Sequence, residues 1–151
     1  MNVFILEDSD ERIKWFKTTW ARYAHLVVCT NYYHAVQEFQ KFDFSLILLD
    51  HDLGWSGLLG SDDIKNSGAH FAEWLSCNYG HISHVPVIIH SHNSMGAQKM
   101  VDHLDKGGFK SEVIPFSALR IEWERGTLSF LGHYKYDVPD WKDCGNFEVI
   151  R

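Results

Sequence analysis

Three stretches of the chain carry residues able to bind cations, hold phosphate or move protons. Leu46-Ile47-Leu48-Leu49 runs straight into Asp50-His51-Asp52 before Leu53-Gly54 breaks the run. Val3-Phe4-Ile5-Leu6 runs into Glu7-Asp8, and Val87-Ile88-Ile89 runs into His90-Ser91-His92-Asn93. Carboxylates and imidazoles this dense are costly to bring together unless a cation, a phosphate chemistry or a proton uses them. Glu7, Asp8, Asp50 and Asp52 offer hard oxygen ligands, and His51, His90 and His92 offer imidazole. Mixed carboxylate and imidazole ligation suits Mn²⁺, Fe²⁺ or Zn²⁺, whereas oxygen alone suits Mg²⁺. Such an ion polarises a phosphoryl oxygen and supplies hydroxide near neutral pH. His51 or His90, left off the metal, would move a proton to the leaving alkoxide beside Asp52. Ser91, His92 and Asn93 are candidates to cradle phosphate oxygens. Trp55, in the loop beside Asp52, is the aromatic candidate for stacking on a nucleobase.

The apolar runs that precede the clusters do not alternate, so they read as strands buried on both faces. Strands are expected at residues 2–6, 25–30, 44–50, 85–91 and 113–116. Helical spacing of apolar residues falls between them, at about 10–23, 33–41, 68–79 and 95–106. Strands alternating with helices of ten or so residues imply right-handed crossovers and a parallel sheet. The expected fold is α/β: a flavodoxin-like three-layer sandwich with a mainly parallel five-stranded sheet in the order 2-1-3-4-5. In that order the first, third and fourth strands are neighbours, and their carboxyl ends share one crevice. Neighbours along a strand face opposite sides, so His51 beside Asp50, or His90 beside Ser91, can equally face helix packing. The connection from 53 to 67 is long and rich in Gly and Ser, as expected of a binding loop. Beyond residue 117 the pattern changes. Residues 119–123 and 127–131 flank Glu124-Arg125-Gly126 as a hairpin, the start of a β-rich C-terminal extension of about 118–151. The whole chain, 1–151, reads as one domain with its core at about 1–117.

The bulk numbers agree. The chain has 151 residues, 45% of them hydrophobic and 15% aromatic, enough for one packed core. Its net charge of −6 argues against broad nucleic-acid binding through phosphate contacts, but not against a small phosphorylated ligand held through a metal. No run approaches the length of a membrane span, no signal-peptide pattern opens the chain, and Cys29, Cys77 and Cys144 are odd in number and far apart. A cytoplasmic protein with reduced thiols is expected.

Glu7-Asp8 after the first strand, Asp50 after Leu-Ile-Leu-Leu, Ser91 after the fourth strand, Gly68 and Pro115-Phe116 together resemble the receiver domain of bacterial response regulators over about residues 2–117. In that family the acidic pair helps to hold a divalent cation, the aspartate accepts a phosphoryl group, and the hydroxyl bonds it. Receivers also carry a Lys just before the proline of the fifth strand, and here that position is Ile114. The Leu-Asp-His-Asp-Leu-Gly and His-Ser-x-Asn patterns look like the divergent receiver group predicted to process cyclic phosphates. The resemblance implies a metal-dependent phosphoesterase acting on a cyclic phosphate or cyclic nucleotide. The alternative is a non-enzymatic receiver-like module for signalling or nucleotide binding.

Overall fold

Strand parity decides which residues reach the site. The structure, a computed structural model, describes residues 1–54 and 66–128. Its elements are β1 (Asn2–Leu6), α1 (Asp10–Trp20), β2 (His25–Cys29), α2 (Tyr32–Phe39), β3 (Leu46–Leu49), α3 (Gly68–Asn78), β4 (Val87–Ile89), α4 (Ser94–Lys106), β5 (Ser111–Val113) and α5 (Phe116–Arg125). The strands form one parallel sheet in the order β2-β1-β3-β4-β5, the flavodoxin-like α/β arrangement. β3 is buried at every residue, as its unbroken apolar run requires.

Alternate residues of each central strand feed two separate cores. Phe4, Leu6, Ile47, Leu49, Val87 and Ile89 pack under α2, α3 and α4. Val3, Ile5, Leu46, Leu48 and Ile88 face the other way, onto Phe16 and Trp20 of α1 and Leu119 and Trp123 of α5. Phe16 and Trp20 are fully buried, each contributing on the order of 2 kcal/mol of apolar burial. Continued past the strand ends, the same alternation points Glu7, Asp50 and His90 toward α1.

Polar residues start the helices where strands end. Ser9, Asn31, Ser67 and Asn93 are N-caps, each accepting a backbone N–H from three residues on. Gly68 is forced by contact: a Cβ there would lie 2.0 Å from the Asp50 carbonyl oxygen. Its N–H donates to the His51 carbonyl, so α3 starts flush against the end of β3.

Two expectations need correction. Residues 119–123, expected as a strand, lie in α5. Leu119, Ile121 and Trp123 alternate as a strand would, but Phe116, Leu119 and Trp123 have helical spacing and are the buried set, while Ile121 is 47% exposed. Glu124-Arg125-Gly126 is not a hairpin turn. Gly126 takes φ +70° as the left-handed stop of α5, its N–H on the Trp123 carbonyl. β5 also sits two residues earlier than expected, because Pro115 and Phe116 open α5. The rest of the expected β extension, from 129 on, lies outside the described residues, as do 55–65 of the expected binding loop.

Candidate functional site

The three clusters converge at the carboxyl edge of the sheet. Glu7, Asp8, Ser9, Arg12, Asp50, Asp52, Ser91 and His92 line an open crevice of about 240 Å³. Glu7 and Asp50 form its floor. Both are buried, at 0% and 4% exposure, and both backbones remain in the sheet ladder, Glu7 N–H on Cys29 O and Asp50 N–H on Leu6 O. Asp8 and Asp52 stand two and three residues past the ends of β1 and β3 and form the walls. Asp8 Oδ2 lies 2.8 Å from where a Cβ on Gly54 would be, and Gly54 has φ +52°. Glycine suits that left-handed backbone, and the missing Cβ lets Gly54 sit directly against the Asp8 carboxylate. Asn66 anchors the far end of this loop, donating to Leu53 O at 2.8 Å and accepting from Tyr32 N–H at 3.1 Å.

Glu7, Asp8 and Asp50 each bring one carboxylate oxygen within 4.8 Å of the other two. An all-oxygen trio is the donor set of a hard divalent cation such as Mg²⁺ or Mn²⁺. The electrostatics fit one. Burial, and then the negative charges of Glu7 and Asp50, hold the Asp8 carboxyl above the usual aspartate range. A cation would relieve that repulsion. Burial would also raise Glu7, but the hydrogen bond and charge of His90, the Ser9 N–H and Arg12 together bring it below its ordinary value.

Neither histidine next to the acids turns into the crevice. His90 is fully buried, its Nε2 3.0 Å from Glu7 Oε2 and its ring edge-on to Phe16 at 5.6 Å. Strand parity sends it under α1, where it holds Glu7 instead of reaching a ligand. Its position matches the helix-packing alternative read for it from strand parity. His51 lies beside α4, against Gly96, where an added Cβ would come within 2.3 Å of the ring. Its Nδ1 is 2.8 Å from Asp52 Oδ1. Asn93 closes this group: its Nδ2 donates to Asp52 Oδ1 at 3.1 Å and its Oδ1 caps α4. The His51 contact first, with the Asn93 bond in support, holds Asp52 below its usual value. Ser91 Oγ accepts the Asn93 N–H at 3.1 Å, and His92 is exposed at the crevice rim. Trp55 lies outside the described residues.

Sequence reasoning missed Arg12. Its Nη1 lies 3.5 Å from Glu7 Oε2 and 3.6 Å from Asp50 Oδ2, and its guanidinium sits 5.1 Å from the Phe116 ring centroid. A signal was available. Arg12 occupies the first turn of α1, where the helix dipole disfavours a cation, so its place there called for anionic neighbours. Ile114, at the position of the receiver Lys, is buried in the α1/α5 core.

A five-stranded parallel sheet in this order, with an acidic trio at the ends of its first and third strands, defines the receiver class. Within it the chain belongs to the cyclic-phosphate processing receiver domain family, whose family model matches residues 1–106. Solved receivers share the fold. The receiver domain of a Francisella response regulator aligns with TM-score 0.54 and 17% identity over 83% of this chain and 98% of its own. The signal receiver domain of a histidine kinase from Syntrophus aciditrophicus gives 0.56 and 16% over 83% and 89%. A CheY-like receiver from Methanospirillum hungatei gives 0.53 and 10% over 83% and 92%. No curated protein matches the chain. Among the described residues no helix is long and apolar enough to cross a membrane.

Proposed function

We propose that the crevice takes a divalent cation together with a small phosphate ester and hydrolyses a cyclic phosphodiester, such as a cyclic nucleotide. The observation that carries this reading is Asp52, fixed by His51 and Asn93 at the wall of a crevice whose floor is Glu7 and Asp50. A phosphorylation switch at Asp50 would need the cation that receivers place on the fifth strand, and Ile114 is apolar and buried there.

The cation, held by Glu7, Asp8 and Asp50, would be Mg²⁺ or Mn²⁺, and it supplies Lewis acidity at the phosphoryl group when bound. The chain does the rest. Asp52, kept ionised, orients an attacking water through a hydrogen bond; its lowered pKa makes it a poor store for the proton. His92, at the rim, takes that proton and passes it to the alkoxide released as the ring P–O bond breaks. Ser91 Oγ, beside the α4 N-terminus, binds a phosphate oxygen.

A second reading, a binding module without turnover, draws on the two histidines that face away from the crevice. One experiment separates the two. Purified protein is assayed with Mg²⁺ and with Mn²⁺ against a panel of cyclic mononucleotides. Turnover is expected, abolished by Asp50→Asn and lowered roughly 100-fold or more by His92→Gln. Absence of product with every nucleotide refutes hydrolysis, and thermal stabilisation without product assigns the binding module.

A further inference from the structure

The crevice does not end at Arg12. The same side chain lines a second, larger groove of about 500 Å³ between α1 and α5, whose walls include Glu11, Ser117, Arg120, Ile121 and Glu124. Arg12 is thus the partition between two spaces, with Phe116 beneath its guanidinium. Its fork is far from saturated. A guanidinium has five donors, and among the described residues Arg12 has a single side-chain hydrogen bond, to Glu7, at 3.5 Å. Charge-assisted bonds to oxygen are normally nearer ~2.8 Å. The side chain is 24% exposed, so a ligand can reach it.

The groove differs in character from the crevice. Ile121, 47% exposed, gives it an apolar wall, and Arg120 and Glu124 pair along its rim at 3.2 Å. Ser117 stands exposed at the first turn of α5. Apolar surface flanked by separate donors and acceptors suits a sugar and a heterocycle, and it offers no concentration of positive charge for a second phosphate.

We propose that Arg12 divides the ligand, its guanidinium gripping the phosphate oxygens on the crevice side while the α1/α5 groove takes the nucleoside part of the ester. The proposal rests on the reading of the crevice as a phosphate-ester site. It makes Arg12 the counterpart, supplied from α1, of the cation that receivers bring from the fifth strand. It also makes the groove the source of discrimination between a nucleotide and a bare phosphate. Arg is suited to this position because its planar fork can engage two phosphate oxygens at once, which Lys cannot.

Binding, not turnover, tests it. Inorganic phosphate and cyclic mononucleotides of each common base are titrated calorimetrically in the presence of Mn²⁺. Arg12→Lys and Arg12→Gln are expected to weaken both kinds of ligand, by about 10–100-fold for the Gln variant. Ser117→Trp, which fills the groove from an exposed position, is expected to weaken the cyclic nucleotides by about tenfold or more and leave phosphate within about twofold. Ile121→Trp, from the next turn of α5, gives the same result by a second route, and urea unfolding checks that each variant is folded. The proposal is overturned if the wild type binds no cyclic nucleotide more tightly than phosphate, or if both groove-filling variants leave nucleotide affinity unchanged. Nucleotides that bind in the expected pattern without being turned over refute hydrolysis and leave this inference standing. Turnover whose KM is unchanged by both groove-filling variants removes this inference alone.

Discussion

Asn93 is where helix capping and site geometry meet, and two substitutions separate them. Its Oδ1 accepts the Gly96 N–H at 2.9 Å, capping α4, while its Nδ2 donates to Asp52 Oδ1 at 3.1 Å. Asn93→Ala removes both. Loss of the cap costs about 1 kcal/mol. Loss of the bond to Asp52 adds little to stability, because that side chain is 66% exposed and water replaces the donor. The total, about 1 kcal/mol, lowers the Tm of a domain this size by roughly 2–4 °C. Asn93→Asp keeps the acceptor, and its charge is welcome at a helix N-terminus. What it loses is the donor, so a carboxylate oxygen now faces Asp52. The expected outcome is stability within about 0.5 kcal/mol of the wild type, with phosphate-ester binding reduced at least as far as in Asn93→Ala. Urea unfolding and calorimetric titration with a cyclic nucleotide and Mn²⁺ read the two effects separately. Should Asn93→Asp unfold as readily as Asn93→Ala, the cap does not come from this side chain. Should it bind ligand as the wild type does, the Asn93–Asp52 contact has no part in the site.

Two further outcomes follow from the same geometry. Gly68→Ala places a Cβ 2.0 Å from the Asp50 carbonyl oxygen, a backbone atom that no rotamer change can move aside; a loss of about 3 kcal/mol is expected in urea unfolding, and a stability unchanged from the wild type would contradict the docking of α3 on β3. The Asp8 carboxyl has its pKa raised by burial and by Glu7 and Asp50, so its ionised form is disfavoured in the fold: the penalty is absent below its unfolded value of 3.8, grows as the pH rises toward the raised folded value, and is complete above it. Asp8→Asn is therefore expected to stabilise the metal-free protein at neutral pH and to lose that advantage in acid. Mn²⁺ at about 100 times its Kd should add about 2.7 kcal/mol to the wild type and much less to the variant; an equal response in both would remove Asp8 from the cation site.

The sheet order and the meeting of the three clusters were legible because unbroken apolar runs ending in acids admit few alternatives to buried parallel strands. The sides the residues face were legible in principle. Once Phe4 and Leu6 face one core and Val3 and Ile5 the other, Glu7 follows Ile5 toward α1, and the same count carries Asp50 and His90 there. Two features were hidden for physical reasons. Leu119-Arg120-Ile121-Glu122-Trp123 satisfies strand alternation and helical spacing at once, and only the burial of Phe116 in the α1/α5 core decides for the helix. Arg12 looked like an ordinary surface residue because its partners, Glu7 and Asp50, are brought to it by the β1–β3 pairing and not by sequence distance.

Under the proposed function, that displacement of charge would let the site lack the receiver Lys and still take a phosphate. Ile114 and Arg12 lie toward the same face of the sheet. Ile114 seals the α1/α5 core, and the neighbouring Phe116 supports the guanidinium, so the positive charge beside Asp50 comes from the first helix and not the fifth strand. The balance it leaves is lopsided: four carboxylates, Glu7, Asp8, Asp50 and Asp52, share the crevice with one guanidinium. An anion entering such a space meets net repulsion that Arg12 alone does not offset, because the side chain already faces Glu7 and Asp50. A divalent cation on the acidic trio would reverse the local sign and let the Arg12 fork turn to phosphate oxygens. On this arithmetic, the proposed cation and phosphate ester are expected to bind as a pair. Phosphate affinity should therefore rise with Mg²⁺ or Mn²⁺ concentration, and cation affinity should rise with phosphate by the same factor, as linkage requires.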